Sequence, residues 1–103
     1  MPSQDFKRSD RIADLVKVEI SRILSTEVKD PRIQGITVLA VQLTPDMKKA
    51  DILISQINSF NQIDTNEVRT GLEKGKGFIR KKLSQNLNLR RTPEIFFKIE
   101  EFT

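Results

Sequence analysis

ITVLAVQLTPDMKKADILISQI, residues 36–57, is the stretch on which the fold turns. Residues 36–43 are rich in β-branched side chains and read as a strand. Thr44-Pro45-Asp46 then supplies turn chemistry, with Pro45 fixing φ at the first central position. Residues 50–57 read as the returning strand, and a tight turn between two strands makes them antiparallel. Lys48 and Lys49 fall at the tip of this hairpin, where charged side chains are simply solvated.

Upstream, Ile12, Leu15, Val16, Ile20, Ile23 and Leu24 recur at helical spacing, with Arg11, Asp14, Lys17 and Arg22 opposite. The pattern predicts an amphipathic helix of about four turns. Such a helix covers a sheet or fills a partner's groove, and the sheet is the simpler use. Pro31 ends it, because proline lacks an N–H and biases Asp30 away from helix. Downstream, residues 58–66 are polar and Asn-rich and read as a loop. Asp64-Thr65-Asn66-Glu67 is a capping-box pattern that opens a second helix through Val68 and Leu72. Gly75-Lys76-Gly77 should break it, since each interior glycine costs about 1 kcal/mol relative to alanine. A third helix then resumes near Gly77 with Ile79, Leu83 and Leu87 as its buried stripe. After Thr92-Pro93, residues 94–99 alternate as a last strand with Ile95, Phe97 and Ile99 on one face. The predicted order is α-β-β-α-α-β, an α+β sandwich with a three-stranded sheet and its helices on one side.

At 103 residues the chain suits one domain. We place it at residues 8–99, between a flexible stretch over 1–7 and a short end over 100–103. There is no cysteine and no histidine. Disulfides and thiolate metal sites are thereby excluded, and the usual general base and transition-metal ligand are missing. The first ten residues mix acids with bases and carry no apolar run, so they fit neither a secretory signal nor a transit peptide. No stretch approaches the roughly 20 apolar residues of a membrane span. A cytoplasmic protein without a cofactor is the expectation.

Charge is distributed unevenly. Residues 69–91 hold eight of the eighteen lysines and arginines and one of the fourteen acids. The net charge of +4 therefore conceals a polarised molecule. Concentrated positive charge marks a polyanion binder, and nucleic acid is the commonest polyanion. A kink at Gly75-Lys76-Gly77 would present backbone N–H groups beside Lys74 and Lys76. The same glycines would equally serve a helix–helix corner that needs small residues for packing. Arg80, Lys81 and Lys82 spread over the helix circumference, with Lys82 nearest the packing side, and Arg90 and Arg91 precede the last strand. Phe96 and Phe97 read as core, which leaves contacts to phosphate and RNA shape. No P-loop, nucleophile elbow or paired-acid motif is present, and Asp30 and Asp46 sit in turns where a carboxylate bonds its own backbone. The chain is not expected to be an enzyme.

Taken together, Glu27-Val28-Lys29-Asp30-Pro31-Arg32-Ile33, Thr44-Pro45-Asp46, Gly77-Phe78-Ile79-Arg80 and Leu89-Arg90-Arg91-Thr92-Pro93-Glu94 resemble the bacterial ribosome-binding factor A family. Arg11-Ile12-Ala13-Asp14-Leu15 and Thr37-Val38 extend the resemblance, which runs collinearly over residues 8–99. It implies a KH-like domain of the type II order α-β-β-α-α-β, in which a kinked helix–helix corner replaces the usual glycine loop. That family typically has Ala-x-Gly at the kink where this chain has Gly75-Lys76-Gly77, and commonly continues in a further tail where this chain stops at Thr103. The resemblance further implies a monomeric, non-enzymatic factor that binds rRNA on free small (30S) ribosomal subunits. It would act in late maturation, in processing of the 16S rRNA 5′ end and in the cold, alongside assembly GTPases. The RNA-binding residues expected are Lys74, Gly75, Lys76, Gly77, Arg80, Lys81, Arg90 and Arg91, with Lys29 and Arg32 in the loop after the first helix. The other readings are a KH-type regulator of single-stranded RNA and a module whose basic face meets an acidic protein.

Overall fold

The computed structural model describes residues 4–33, 35–55 and 64–100, with side chains from residue 8 onward. Helix α1 spans Gln4–Thr26, strands β1 and β2 span Thr37–Leu43 and Lys49–Ser55, helix α2 spans Thr65–Leu87, and strand β3 spans Glu94–Glu100. A 3-10 turn, Pro31–Ile33, follows α1. The first helix begins at Gln4, so the domain boundary expected at residue 8 falls inside it. The last two residues of the predicted second strand and most of the Asn-rich loop (residues 56–63), like residues 1–3 and 101–103, lie outside the described residues.

The sheet order is β1-β2-β3, with β1 and β2 antiparallel and β2 and β3 parallel. The antiparallel pair follows from the tight turn. Its tip is held by Asp46, whose Oδ1 accepts from the Thr44 hydroxyl at 2.6 Å and from the Lys48 N–H at 3.0 Å. The parallel pair follows from the long crossover, because a chain that leaves one strand end must return along the sheet before pairing again. At about 34 Å, a 23-residue helix covers that distance in one piece.

Here the structure departs from the sequence expectation. The second and third helices are one helix, and α2 runs through Gly75-Lys76-Gly77 without interruption. No break in the helix separates them at the expected corner. Val68, Leu72, Ile79 and Leu83 are all buried, and their spacings of four, seven and four are those of one continuous helix face. Burying such side chains is worth about 1.5–3 kcal/mol each, which outweighs the roughly 1 kcal/mol cost of each glycine. At the N-terminus the Asp64 carboxylate accepts from the Asn66 N–H at 3.2 Å. At the other end Asn88 takes the left-handed conformation, and its N–H donates to the Ser84 carbonyl at 3.1 Å.

Both helices pack on one face of the sheet, α1 against β1 and α2 against β3. Register aligns Leu43, Ala50 and Ile95, then Val41, Ile52 and Phe97, on the helix side. Val16, Ile20, Ile23 and Leu24 of α1 complete the core. Phe97 therefore packs as expected, whereas Phe96 stands opposite Asp51, half-buried on the outer face.

Candidate nucleic-acid interface

Packing one face of α2 into the core turns the opposite face outward. Lys74 and Lys81, seven residues apart, are both exposed there. Gly77 lies between them, and a Cβ built on it would meet nothing within 4 Å. Phe78 follows, 41% exposed, with the Lys82 ammonium 5.7 Å from its ring centroid. The outer face thus offers two exposed cations, a strip of bare backbone and an aromatic edge. Because the helix is continuous, its own hydrogen-bond ladder engages the backbone N–H groups of residues 75–77. The phosphate cradle expected from unpaired N–H groups is not formed. Nor are Gly75 and Gly77 packing glycines, since a Cβ at Gly75 would approach only Ile79 Cδ1, at 4.0 Å.

The other basic residues of α2 are partly committed within the fold. Arg80 is half-buried and donates Nε to the Pro93 carbonyl and Nη2 to the Thr92 carbonyl, both at 3.2 Å. It ties α2 to the entry of β3, and only its remaining N–H groups can face a ligand. Lys76 turns toward β3, with Nζ 3.2 Å from Glu73 Oε1 and 5.6 Å from the Phe96 ring centroid. Lys82 leans toward the connection that follows α1, 3.9 Å from Glu27 Oε1, in keeping with its expected place near the packing side.

Lys29 is exposed in the connection after α1. Arg32 is held by Asp30, with Nη2 2.6 Å from Oδ2 and Nε 3.0 Å from Oδ1. The Arg32 side chain first, and its backbone N–H second, hold the Asp30 carboxyl at about 2. Asp30 is structural, as its turn position suggested, and it offsets the charge of Arg32. The Lys74 charge also acts on Asp30, which sets Lys74 beside this connection. Gly71 explains the proximity: a Cβ there would lie 3.0 Å from Ile33 Cγ2 and 3.4 Å from Arg32 Cβ. The packing glycine of α2 is Gly71, which no local motif marks.

Arg90 and Arg91 stand apart from Lys74. From Lys74 to Asn88 the helix rises about 21 Å, so both arginines lie at the far end of α2. There, with Arg8 of α1, they border a cavity of about 350 Å³. Arg8 was not among the expected residues. It precedes Ile12 by four positions, so carrying the apolar stripe one turn upstream would have placed it on α1. The exposed ring of Phe78 was also missed, although its offset of one from the buried Ile79 puts it off the core stripe. The run of positive charge over residues 69–91 therefore divides into an α2 outer face and a distal arginine cluster.

No three acidic side chains among the described residues come together as metal ligands. Among the same residues no helix is long and apolar enough to cross a membrane.

Residues 8–103 match the family described as ribosome-binding factor A. A ribosome-binding factor A from Syntrophus aciditrophicus is 42% identical over 93 residues, covering 90% of this chain and 74% of the relative. The crystal structure of ribosome-binding factor A from Thermus thermophilus superposes with a TM-score of 0.77 at 18% identity, over 88% of this chain and 93% of that one. The T. thermophilus factor as fitted into a cryo-EM map of a 30S–RbfA complex gives 0.69 at 19% identity, over 85% and 90%. At these identities the two structures speak for the fold. The family match spans nearly the whole sequence, and by it this chain belongs to the ribosome-binding factor A family.

Proposed function

We propose that this protein is a non-enzymatic assembly factor that binds the free small ribosomal subunit through its rRNA. The observation that carries this is the outer face of α2, where exposed Lys74 and Lys81 flank bare backbone at Gly77 in a family named for ribosome binding. A T. thermophilus member of that family has been fitted into a map of its 30S complex, which supports the same particle as the partner. Lysine ammonium groups on an exposed helix grip phosphates without reading bases, as recognition of folded rRNA by shape requires. The reading includes late maturation, processing of the 16S rRNA 5′ end and a larger role in the cold. It places the factor in the cytoplasm, monomeric on the particle, with assembly GTPases acting on the same subunit. Arg90, Arg91 and Lys29 add charge beyond α2, while Arg80, Lys76 and Arg32 contribute what their internal contacts leave free.

Gradient sedimentation with purified free small subunits and with whole ribosomes tests this. Co-sedimentation with free subunits only, lost in Lys74→Glu/Lys81→Glu, is the expected result. Association that survives digestion of the rRNA would identify a protein partner and overturn the reading. Tight, base-selective binding to short oligonucleotides without subunit binding would make the chain a KH-type regulator instead.

A further inference from the structure

The cavity at the far end of the molecule is built by three segments that the chain brings together from distant positions. Arg8 comes from α1, Met47 from the β1–β2 turn, and Arg90 and Arg91 from the α2–β3 connection. Its floor is apolar: Ile12, Leu43 and Leu89 pack directly onto the core, and Pro93 is buried. The walls are tied to one another. The Glu94 N–H donates to the Lys48 carbonyl at 2.8 Å, joining β3 to the turn, and the Met47 N–H donates to the Thr44 carbonyl at 2.7 Å. A site fixed in this way loses little entropy on binding.

The rim is cationic. Arg8, Arg90 and Arg91 are exposed, and none forms an ion pair with a described residue. The acid at the cavity is Asp46, and its Oδ1 already accepts from the Thr44 hydroxyl and the Lys48 N–H. All three cations are arginines. A guanidinium binds phosphate oxygens in pairs and stacks on flat rings, which an ammonium does less well. An apolar floor beneath a guanidinium rim suits a ligand that joins a flat ring to an anion. A nucleotide has that form, and its base becomes available only where the strand is unpaired. The volume of about 350 Å³ suits one such group and is too small for a folded element.

We propose that this cavity takes one unstacked nucleotide of single-stranded RNA, its base on the apolar floor and its phosphate on Arg8, Arg90 and Arg91. The proposal rests on the RNA-binding reading above and adds to it a second contact, about 21 Å along α2 from Lys74. Two-site attachment of this kind would fix the direction of a strand, which a single charged face does not.

The test is amide NMR of the whole chain titrated with adenosine 5′-monophosphate, with adenosine, and with a short single-stranded oligoadenylate RNA. Both phosphorylated probes should shift the amides of Met47 and Leu89–Arg91, and adenosine should bind at least about tenfold more weakly. Arg90→Gln/Arg91→Gln should weaken the oligonucleotide by about tenfold or more with an unchanged thermal midpoint, as both side chains are exposed and form no ion pair with a described residue. Lys74→Gln/Lys81→Gln should leave the monophosphate response at the cavity intact. Shifts confined to α2 would overturn the proposal, as would tighter binding of polyglutamate at the same amides. A monophosphate that binds more tightly than the oligonucleotide would make a free nucleotide the ligand and overturn it too. Subunit co-sedimentation without any cavity response would sink this inference and leave the proposed function standing. A cavity response to both phosphorylated probes, without co-sedimentation, would support the site and sink the function.

Discussion

Three glycines lie within seven positions of α2, and they do different things. Gly71 faces the 3-10 turn, where an added Cβ would stand 3.0 Å from the fully buried Ile33. Gly75 and Gly77 have room for a methyl group. Gly75→Ala and Gly77→Ala should each raise stability by up to about 1 kcal/mol, since alanine restricts the unfolded chain and favours helix. Gly71→Ala should instead lower it by about 1–3 kcal/mol through overpacking. Urea denaturation of the three variants checks this ordering. If the bare strip at Gly77 admits a phosphate backbone, Gly77→Ala should also weaken subunit binding while it stabilises the fold. A second residue-scale prediction concerns Asp30. Its carboxyl is lowered from 3.8 to about 2, chiefly by the Arg32 side chain. A depressed folded value means that the pair stabilises fully above the unfolded value and fades as pH falls through the folded one. Asp30→Asn should therefore lower the urea midpoint at neutral pH, and the difference from wild type should close between about pH 4 and pH 2. A difference that persists at pH 2 would assign the effect to lost hydrogen bonds rather than to charge.

At the scale of elements, α2 both carries the candidate interface and supports the fold, and its basic residues divide by helix phase. Arg80 lies toward β3 and spends two donors on the Pro93 and Thr92 carbonyls. Lys74 and Lys81 lie outward and exposed, and neither forms an ion pair with a described residue. Arg80→Ala should cost about 1–3 kcal/mol, because hydrogen bonds from a charged donor are lost and two carbonyls at the helix–strand junction lose a partner. Lys74→Gln/Lys81→Gln should leave the stability within about 0.5 kcal/mol of wild type while weakening subunit binding. Thermal melts run beside sedimentation separate the two roles. Equal loss of stability in both variants would show that the outward lysines are structural after all. Charge reversal at Arg80 alone cannot tell binding from folding, because its side chain does both.

Over the whole molecule, the two cationic regions, one on the middle of α2 and one beyond its C-terminal end, would together spread the proposed phosphate grip along a strand. If about four to six phosphates are neutralised, the logarithm of affinity should fall against the logarithm of salt with a slope of roughly −3 to −5. Titrating the protein onto free subunits at several salt concentrations measures it, and a slope near zero would exclude a phosphate grip. The hairpin around Thr44-Pro45-Asp46, the amphipathic α1, the Asp64 cap and the last strand were all legible in the sequence. Each is set by local periodicity or by a side chain bonding its own backbone. The family was legible too, in motifs such as Val28-Lys29-Asp30-Pro31-Arg32. The continuity of α2 was not, because glycine propensity is a local cost of about 1 kcal/mol and the buried stripe of Val68, Leu72, Ile79 and Leu83 is a tertiary gain several times larger. Neither were the ties of Arg80 and Arg32, the closeness of Gly71 to Ile33, nor the meeting of Arg8 with Arg90 and Arg91. Sequence alone determined the first helix, the three strands, the Asp64 cap and the concentration of charge between residues 69 and 91. Tertiary structure decided which of those charges are free, because a cation's availability depends on which carbonyls, acids and rings the fold sets beside it, and for Arg80, Lys76 and Lys82 these include groups far away in the chain.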